Sequence, residues 1–138
     1  MQNFLYLYGP TGAGKTRLLR MMETTLAEQG ASGDVVRVGA ETLVDEMVSE
    51  LPARGLDRFF ARYAEFENLL VDNCWVLARK PHAARMLGRL FHDRRSGGKL
   101  TVVASDLPLT RIDKEVAELF DEAVVINLGG SWEGICQQ

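Results

Sequence analysis

Residues 9 to 16 read GPTGAGKT, directly after the apolar run FLYLY and directly before a stretch with helical spacing. Few short strings restrict a fold as strongly: the pattern G-x-x-x-x-G-K-[ST], set between a strand and a helix, is a phosphate-binding loop. The reason is steric and electrostatic. Glycines at 9, 12 and 14 let backbone N–H groups turn inward around anionic oxygens with no Cβ in the way, and the N-terminus of the following helix adds positive potential. Pro10, Thr11 and Ala13 fill the variable positions. Lys15 is placed to reach the β- and γ-phosphates of a nucleotide, Thr16 to ligate Mg²⁺, and Arg17 to open the helix beside them.

The rest of the chain supplies a sheet for such a loop to sit on. Apolar runs rich in β-branched or aromatic residues recur at Phe4 to Tyr8, Val35 to Val38, Leu69 to Val71, Leu100 to Ala104 and Val124 to Leu128, which predicts five buried strands. Between them lie helical stripes, Leu18, Leu19, Met22 and Leu26 in one and Met86, Leu87, Leu90 and Phe91 in another. The first helix is expected to end near Gly30, and Ser96-Gly97-Gly98 announces the fourth strand. Strands of near-continuous apolar character alternating with helices indicate an α/β protein with a parallel sheet covered on both faces. The crossover from about Ala40 to Glu67 is longer than one helix needs. It reads as two, Thr42 to Leu51 and Leu56 to Tyr63, separated by a break at Pro52 to Gly55. The reading is of one domain, residues 1–128, followed by an irregular tail, residues 129–138.

The third strand ends in LLVDN. An aspartate at the end of a buried strand in a phosphate-loop protein orients the magnesium ion, and Asp72 stands in that place, so Thr16 and Asp72 are the expected metal residues. No apolar stretch approaches the roughly 18 to 20 residues of a membrane span, and MQNFLYLYGP has no basic region before its apolar run, so a cytoplasmic protein without membrane contact is expected. Cys74 and Cys136 are too few and too far apart for a metal site or disulfide framework, and are read as thiols. A net charge of -3 argues against a nonspecific coat on nucleic acid, yet the charge is polarised. Residues 79–99 hold seven Lys or Arg (Arg79, Lys80, Arg85, Arg89, Arg94, Arg95, Lys99) against Asp93, while 41–72 lean acidic. Such polarity suits two solvated faces, head-to-tail association or a phosphate backbone. His82 and His92, with no carboxylate at ligand spacing, read as solvated, and Trp75 and Trp132 as packing residues.

The order of GPTGAGKT, LLVDNCWVLARK, VVASDLP and VVINL resembles the AAA+ core of the bacterial replication initiator DnaA and its Hda-like relatives, over nearly the whole chain. The resemblance implies a RecA-like three-layer fold with a five-stranded parallel sheet and ATP or ADP with Mg²⁺ as cofactors. It places Ser105 and Asp106 at the sensor 1 position beside the γ-phosphate, giving Lys15, Asp72, Asn73 and Asp106 as the catalytic set. The implied partners are a DnaA-type initiator, a sliding clamp or DNA, with nucleotide-dependent self-association, and the long second crossover falls where such initiators carry an extra helix used to engage DNA.

Three departures qualify the likeness. Asn73 replaces the family's acidic residue after the magnesium aspartate; an amide holds a water by hydrogen bonding but carries no negative charge to polarise it. The segment IDKEVAELF, Ile112 to Phe120, has no arginine where the family reaches a neighbouring nucleotide. The family's adenine-contacting segment, helical lid and DNA-reading domain have no counterpart in these residues, so weak binding with little base selectivity is expected. The sequence therefore favours an ATP-binding module in replication initiation or its regulation with weak or absent hydrolysis. Two alternatives stay open: a P-loop phosphotransferase using the basic 79–99 stretch as a lid, and an interaction module with a vestigial nucleotide site.

Overall fold

The computed structural model describes residues 3–10, 14–29, 34–50 and 55–128. The elements follow the expected order: β1 (Phe4–Tyr8), α1 (Lys15–Glu28), β2 (Val35–Gly39), α2 (Ala40–Glu50), α3 (Gly55–Glu65), β3 (Asn68–Asp72), a six-residue 3₁₀ turn (Cys74–Arg79), α4 (Pro81–Ser96), β4 (Leu100–Ser105), α5 (Lys114–Ala117) and β5 (Val124–Asn127). All strand pairs are parallel, in the order β2-β3-β4-β1-β5. The long crossover does hold two helices; the Pro52 part of the break between them lies outside the described residues, as do Gly30 and the tail.

Side-chain alternation explains the layers. Successive residues of a strand face opposite sides of a sheet. Phe4, Tyr6, Leu69, Val71 and Val103 enter one core with Leu43, Met47, Phe59, Leu87, Leu90, Phe91, Val116 and Phe120 from α2, α3, α4, α5 and the turn after it. Their neighbours Leu7, Leu70, Val102 and Ala104 enter a second core with Leu19 of α1. Central strands buried on both faces have no polar positions to spare, which is why they read as unbroken apolar runs. Phe4, Phe91 and Phe120 pack with ring centroids 5.8 to 6.2 Å apart, a spacing at which tilted aromatic rings attract. Among the described residues no helix is long and apolar enough to cross a membrane.

The corner between α2 and α3 depends on Gly55. A Cβ there would stand 2.7 Å from Glu50 Cβ and 2.8 Å from the Glu50 carbonyl oxygen, while Tyr63 of α3 donates to Glu46 of α2 at 2.6 Å and ties the two helices together. Gly55→Ala is expected to cost about 1 to 3 kcal/mol, the usual range for overpacking. A fall of several degrees in the calorimetric unfolding temperature would show it, and an unchanged temperature would refute the close approach.

Candidate functional site

Strand order decides which side chains meet. β3, β4 and β1 lie side by side, so their carboxyl ends present Asp72, Asp106 and the phosphate loop along one edge. The connection from β1 goes to the far edge over one face through α1, while that from β4 crosses to β5 over the other. A crevice opens where the connections diverge, the usual ligand site of an open parallel sheet. A cavity of about 260 Å³ lies there, lined by Gly14, Lys15, Thr16, Arg17, Asp72, Asn73 and Asp106.

Lys15 is buried, and its ammonium is fully engaged. Nζ donates to the carbonyl oxygens of Gly9 and Pro10 (2.8 Å for the latter) and pairs with Asp106 Oδ1 at 2.9 Å. These use all three of its donors. Gly14 sits at φ 85°, a left-handed conformation that carries little penalty only for glycine, and its carbonyl accepts the first helical bond of α1 from Leu18 N–H at 2.9 Å. Thr11, Gly12 and Ala13 of the loop lie outside the described residues.

Asp72 is held at both oxygens. Thr16 Oγ1 donates to Oδ2 and the Asn73 N–H to Oδ1, each at 2.8 Å. Thr16 and Asp72 thus form one oxygen-rich corner of the cavity, with Lys15 on the adjoining wall. Hard oxygen donors, few in number and open on one side, suit a magnesium ion that keeps several waters and takes phosphate oxygens for its remaining positions. Among the described residues no group of three or more His, Cys, Asp or Glu could hold a metal by itself.

Asn73 is the one non-glycine residue at positive φ among those described, at φ 55° and ψ 40°. Asparagine tolerates this region far better than a branched or bulky residue. Its carbonyl accepts from Val76 N–H at 3.2 Å, starting the 3₁₀ turn, and its side chain is exposed on the cavity wall.

Ser105 does not reach the cavity. It is fully buried: its Oγ accepts from the Leu107 N–H at 3.1 Å and its carbonyl from the Gly9 N–H at 3.2 Å. These bonds shape the turn that carries Asp106. Tyr6 completes that support, donating its phenol to the Leu107 carbonyl at 2.7 Å; burial pushes the phenol up to about 12, so the proton stays on the donor. Tyr6 is a positioning residue that the sequence offered only as an apolar strand position. Cys74 is buried among apolar groups, which push its thiol up to about 12, and it remains an inert packing residue.

The basic segment is less free than its composition suggests. Arg94 is buried, Arg95 pairs with Glu122 at 3.1 Å, Lys99 with Glu67 at 3.8 Å and Arg85 with Glu115 at 3.9 Å. The guanidinium of Arg79 lies 5.2 Å from the centre of the Trp75 ring and that of Arg89 lies 5.9 Å from Phe60. Both histidines are exposed, as expected. Trp75 is half-buried; Trp132 and Cys136 lie outside the described residues.

Comparisons with known proteins agree with this geometry. Residues 1–127 match the family described as the bacterial DnaA ATPase domain. The chain is 32% identical over 129 residues to the chromosomal replication initiator protein DnaA 2 of Protochlamydia amoebophila, covering 91% of this chain and 28% of that protein. It superimposes with a TM-score of 0.81 and 24% identity on domain III of the Thermotoga maritima replication initiation protein DnaA, over 92% of this chain and 55% of that one. A replication initiator DnaA bound to AMPPCP and single-stranded DNA gives a TM-score of 0.80 at 21% identity, over 90% of this chain and 39% of that one. The loop GPTGAGKT, the aspartate at the end of β3 and the sheet that aligns them lie within the matched residues, and this chain is a member of the bacterial DnaA ATPase domain family.

Proposed function

We propose that this chain is an ATP- and Mg²⁺-binding module of the DnaA type with weak or absent hydrolysis, and that it acts in replication initiation or its regulation. The observation that carries the reading is the convergence of Lys15, Thr16, Asp72 and Asp106 on one cavity at the carboxyl edge of the sheet. A triphosphate entering it would replace Asp106 and the two loop carbonyls as the partner of Lys15. The magnesium ion would draw on Thr16 and Asp72 and neutralise charge on the phosphates. Arg17, exposed at the cavity wall, adds a second cation to the same ligand.

The module's partners are proposed to be an initiator, a sliding clamp or DNA. A homologous structure carries single-stranded DNA together with an ATP analogue. In this chain the exposed cations at the start of α4, Lys80 and Arg85, with Arg89 further on, are the side chains to present to a phosphate backbone. The phosphotransferase alternative loses its support, because α4 buries Leu87, Leu90 and Phe91 in the main core and is not a free lid. Titration calorimetry with AMPPCP tests the reading: saturable heat that requires Mg²⁺ is expected, and no heat at millimolar ligand would end it.

Slow turnover follows from Asn73. Its amide can hold a water at the cavity wall but has no basic oxygen to take a proton from it. Asparagine to aspartate keeps a residue that tolerates the left-handed backbone and adds the missing charge. Asn73→Asp is expected to raise steady-state phosphate release by about 10²-fold, the low end of what a positioned general base contributes. An unchanged rate, with AMPPCP binding intact, would show that the amide is not what limits hydrolysis.

A further inference from the structure

Asn73 occupies a left-handed conformation, which asparagine tolerates better than other L-residues but which lies outside the regions it favours most. Two bonds hold the peptides on either side of it. The Asn73 N–H donates to Asp72 Oδ1 at 2.8 Å, and the Asn73 carbonyl accepts from Val76 N–H at 3.2 Å. The first of these is made with the very carboxylate whose other oxygen accepts from Thr16. The second begins the turn that carries Trp75 and Arg79, stacked with 5.2 Å between guanidinium and ring centre, directly ahead of α4. One strained residue therefore joins the magnesium corner of the cavity to an aromatic and cationic surface, across a backbone step of one peptide.

From this juxtaposition we infer that Asn73 is a ligand-linked hinge, through which a magnesium nucleotide at Asp72 repositions the Trp75–Arg79 turn. The inference rests on the nucleotide reading of the cavity. A hydrated divalent cation at Thr16 and Asp72 competes with the Asn73 N–H for the carboxylate. Once that bond weakens, the peptide plane between Asp72 and Asn73 is free to rotate, and Asn73 readjusts with it toward the favoured region of φ and ψ. The peptide that starts the turn rotates with it. Cys74, Val76 and Leu77 are buried and anchor the turn, so the displacement falls on its partly exposed member, Trp75, and on the Arg79 side chain stacked there. A ligand shifts such an equilibrium only by its differential affinity for the two states, and the carboxylate supplies that difference.

The test uses the full chain with Trp132→Phe, so that emission reports Trp75 alone. AMPPCP with Mg²⁺ is titrated while heat and fluorescence are followed in parallel. The expected result is a saturable change in Trp75 emission with the same midpoint as the heat. A second variant biases the hinge directly. Asn73→Val places a β-branched side chain where it cannot adopt the left-handed region, so without ligand its emission should already match that of the liganded parent. Its affinity for AMPPCP–Mg²⁺ should rise by about three- to tenfold, because the ligand no longer has to release the strained state. Asn73→Gly, which accepts that region freely and gains nothing by leaving it, should lose the ligand-linked signal while still giving the heat of binding. Heat without any change in emission overturns the hinge and leaves nucleotide binding standing; an Asn73→Val protein that binds normally with the emission of the empty parent does the same. Absence of heat in the parent overturns the nucleotide reading and the hinge with it.

Discussion

Replacing Arg94 by alanine is expected to destabilise the fold by about 3 to 5 kcal/mol, the largest effect of any single substitution on the stability of this chain. The guanidinium is 1% exposed and donates to Thr101 Oγ1 at 2.8 Å and to the carbonyl oxygens of Tyr63, Phe66 and Leu100 at 2.7, 2.6 and 2.6 Å. Tyr63 and Phe66 flank the end of α3, where helical carbonyls have no partner of their own and carry the negative end of the helix dipole. Leu100 and Thr101 begin β4. One rigid fork thus closes the end of α3, fixes α4 against it and sets the start of a central strand. Among the described residues its hydrogen-bond partners are carbonyls and a hydroxyl and include no carboxylate; burial pushes the group down to about 10, and it stays charged at neutral pH.

Alanine would leave three carbonyls and a hydroxyl without their donor and open a void the size of the side chain. Against a total stability of about 5 to 15 kcal/mol for a domain of this kind, the variant would be marginally folded. Arg94→Lys keeps the charge but offers one compact head in place of a planar fork, so it should recover only part of the loss. Urea unfolding separates the cases: a lower midpoint at constant slope is expected for both, with alanine the lower. A midpoint for Arg94→Ala within experimental error of the parent would mean that these four bonds contribute nothing net.

The same arginine shows where a sequence stops being legible. The stripe Met86, Leu87, Leu90 and Phe91 fixes the inner face of α4 by periodicity alone, and β1, β3 and β4 appear as apolar runs because central parallel strands are buried on both faces, whereas the edge strands β2 and β5, also expected to be buried, are only partly buried or exposed. Arg94 continues that stripe at the right spacing, but its charge placed it with the exposed cations. Only the path of the chain, which brings the end of α3 and the start of β4 together, supplies acceptors for it. A related distinction separates Ser105 from Asp106. Both stand at a strand end and both are polar, and the residue resemblance treats them as one site. Alternation along β4 sends the serine inward to Leu107, and the aspartate out to Lys15. The phosphate loop escapes this ambiguity because its function is carried by main-chain atoms and neighbouring residues, so spacing alone specifies it. Asn73 lies between: the missing acid was visible in the sequence, whereas its left-handed backbone depends on the orientation of Asp72.

Lys15→Ala is the second substitution with a large expected effect, and it acts on binding and not on folding. In the ligand-free protein the ammonium pairs with Asp106, whose side chain is 34% exposed, and with the carbonyl oxygens of the exposed Pro10 and the buried Gly9, beside a cavity that admits water where the lysine side chain is removed. Solvent takes over those partners when the lysine is removed, so the cost to stability should stay below about 1 kcal/mol, as for other ion pairs that water reaches. Toward a triphosphate the balance differs. There the ammonium would make charge-assisted bonds to two phosphate groups in a site that excludes much of the solvent, each worth about 1.5 to 3 kcal/mol. Their joint loss corresponds to an affinity for AMPPCP–Mg²⁺ weaker by about 100- to 1000-fold. Asp106 adds to the effect, since without Lys15 its carboxylate stands near the incoming phosphates with that ammonium's charge removed. Lys15→Ala,Asp106→Asn should therefore bind several-fold better than Lys15→Ala alone, while both unfold in urea near the parent midpoint. Calorimetric affinities within threefold of the parent would remove Lys15 from the phosphate site and require another cation, Arg17 being the remaining one on the cavity wall.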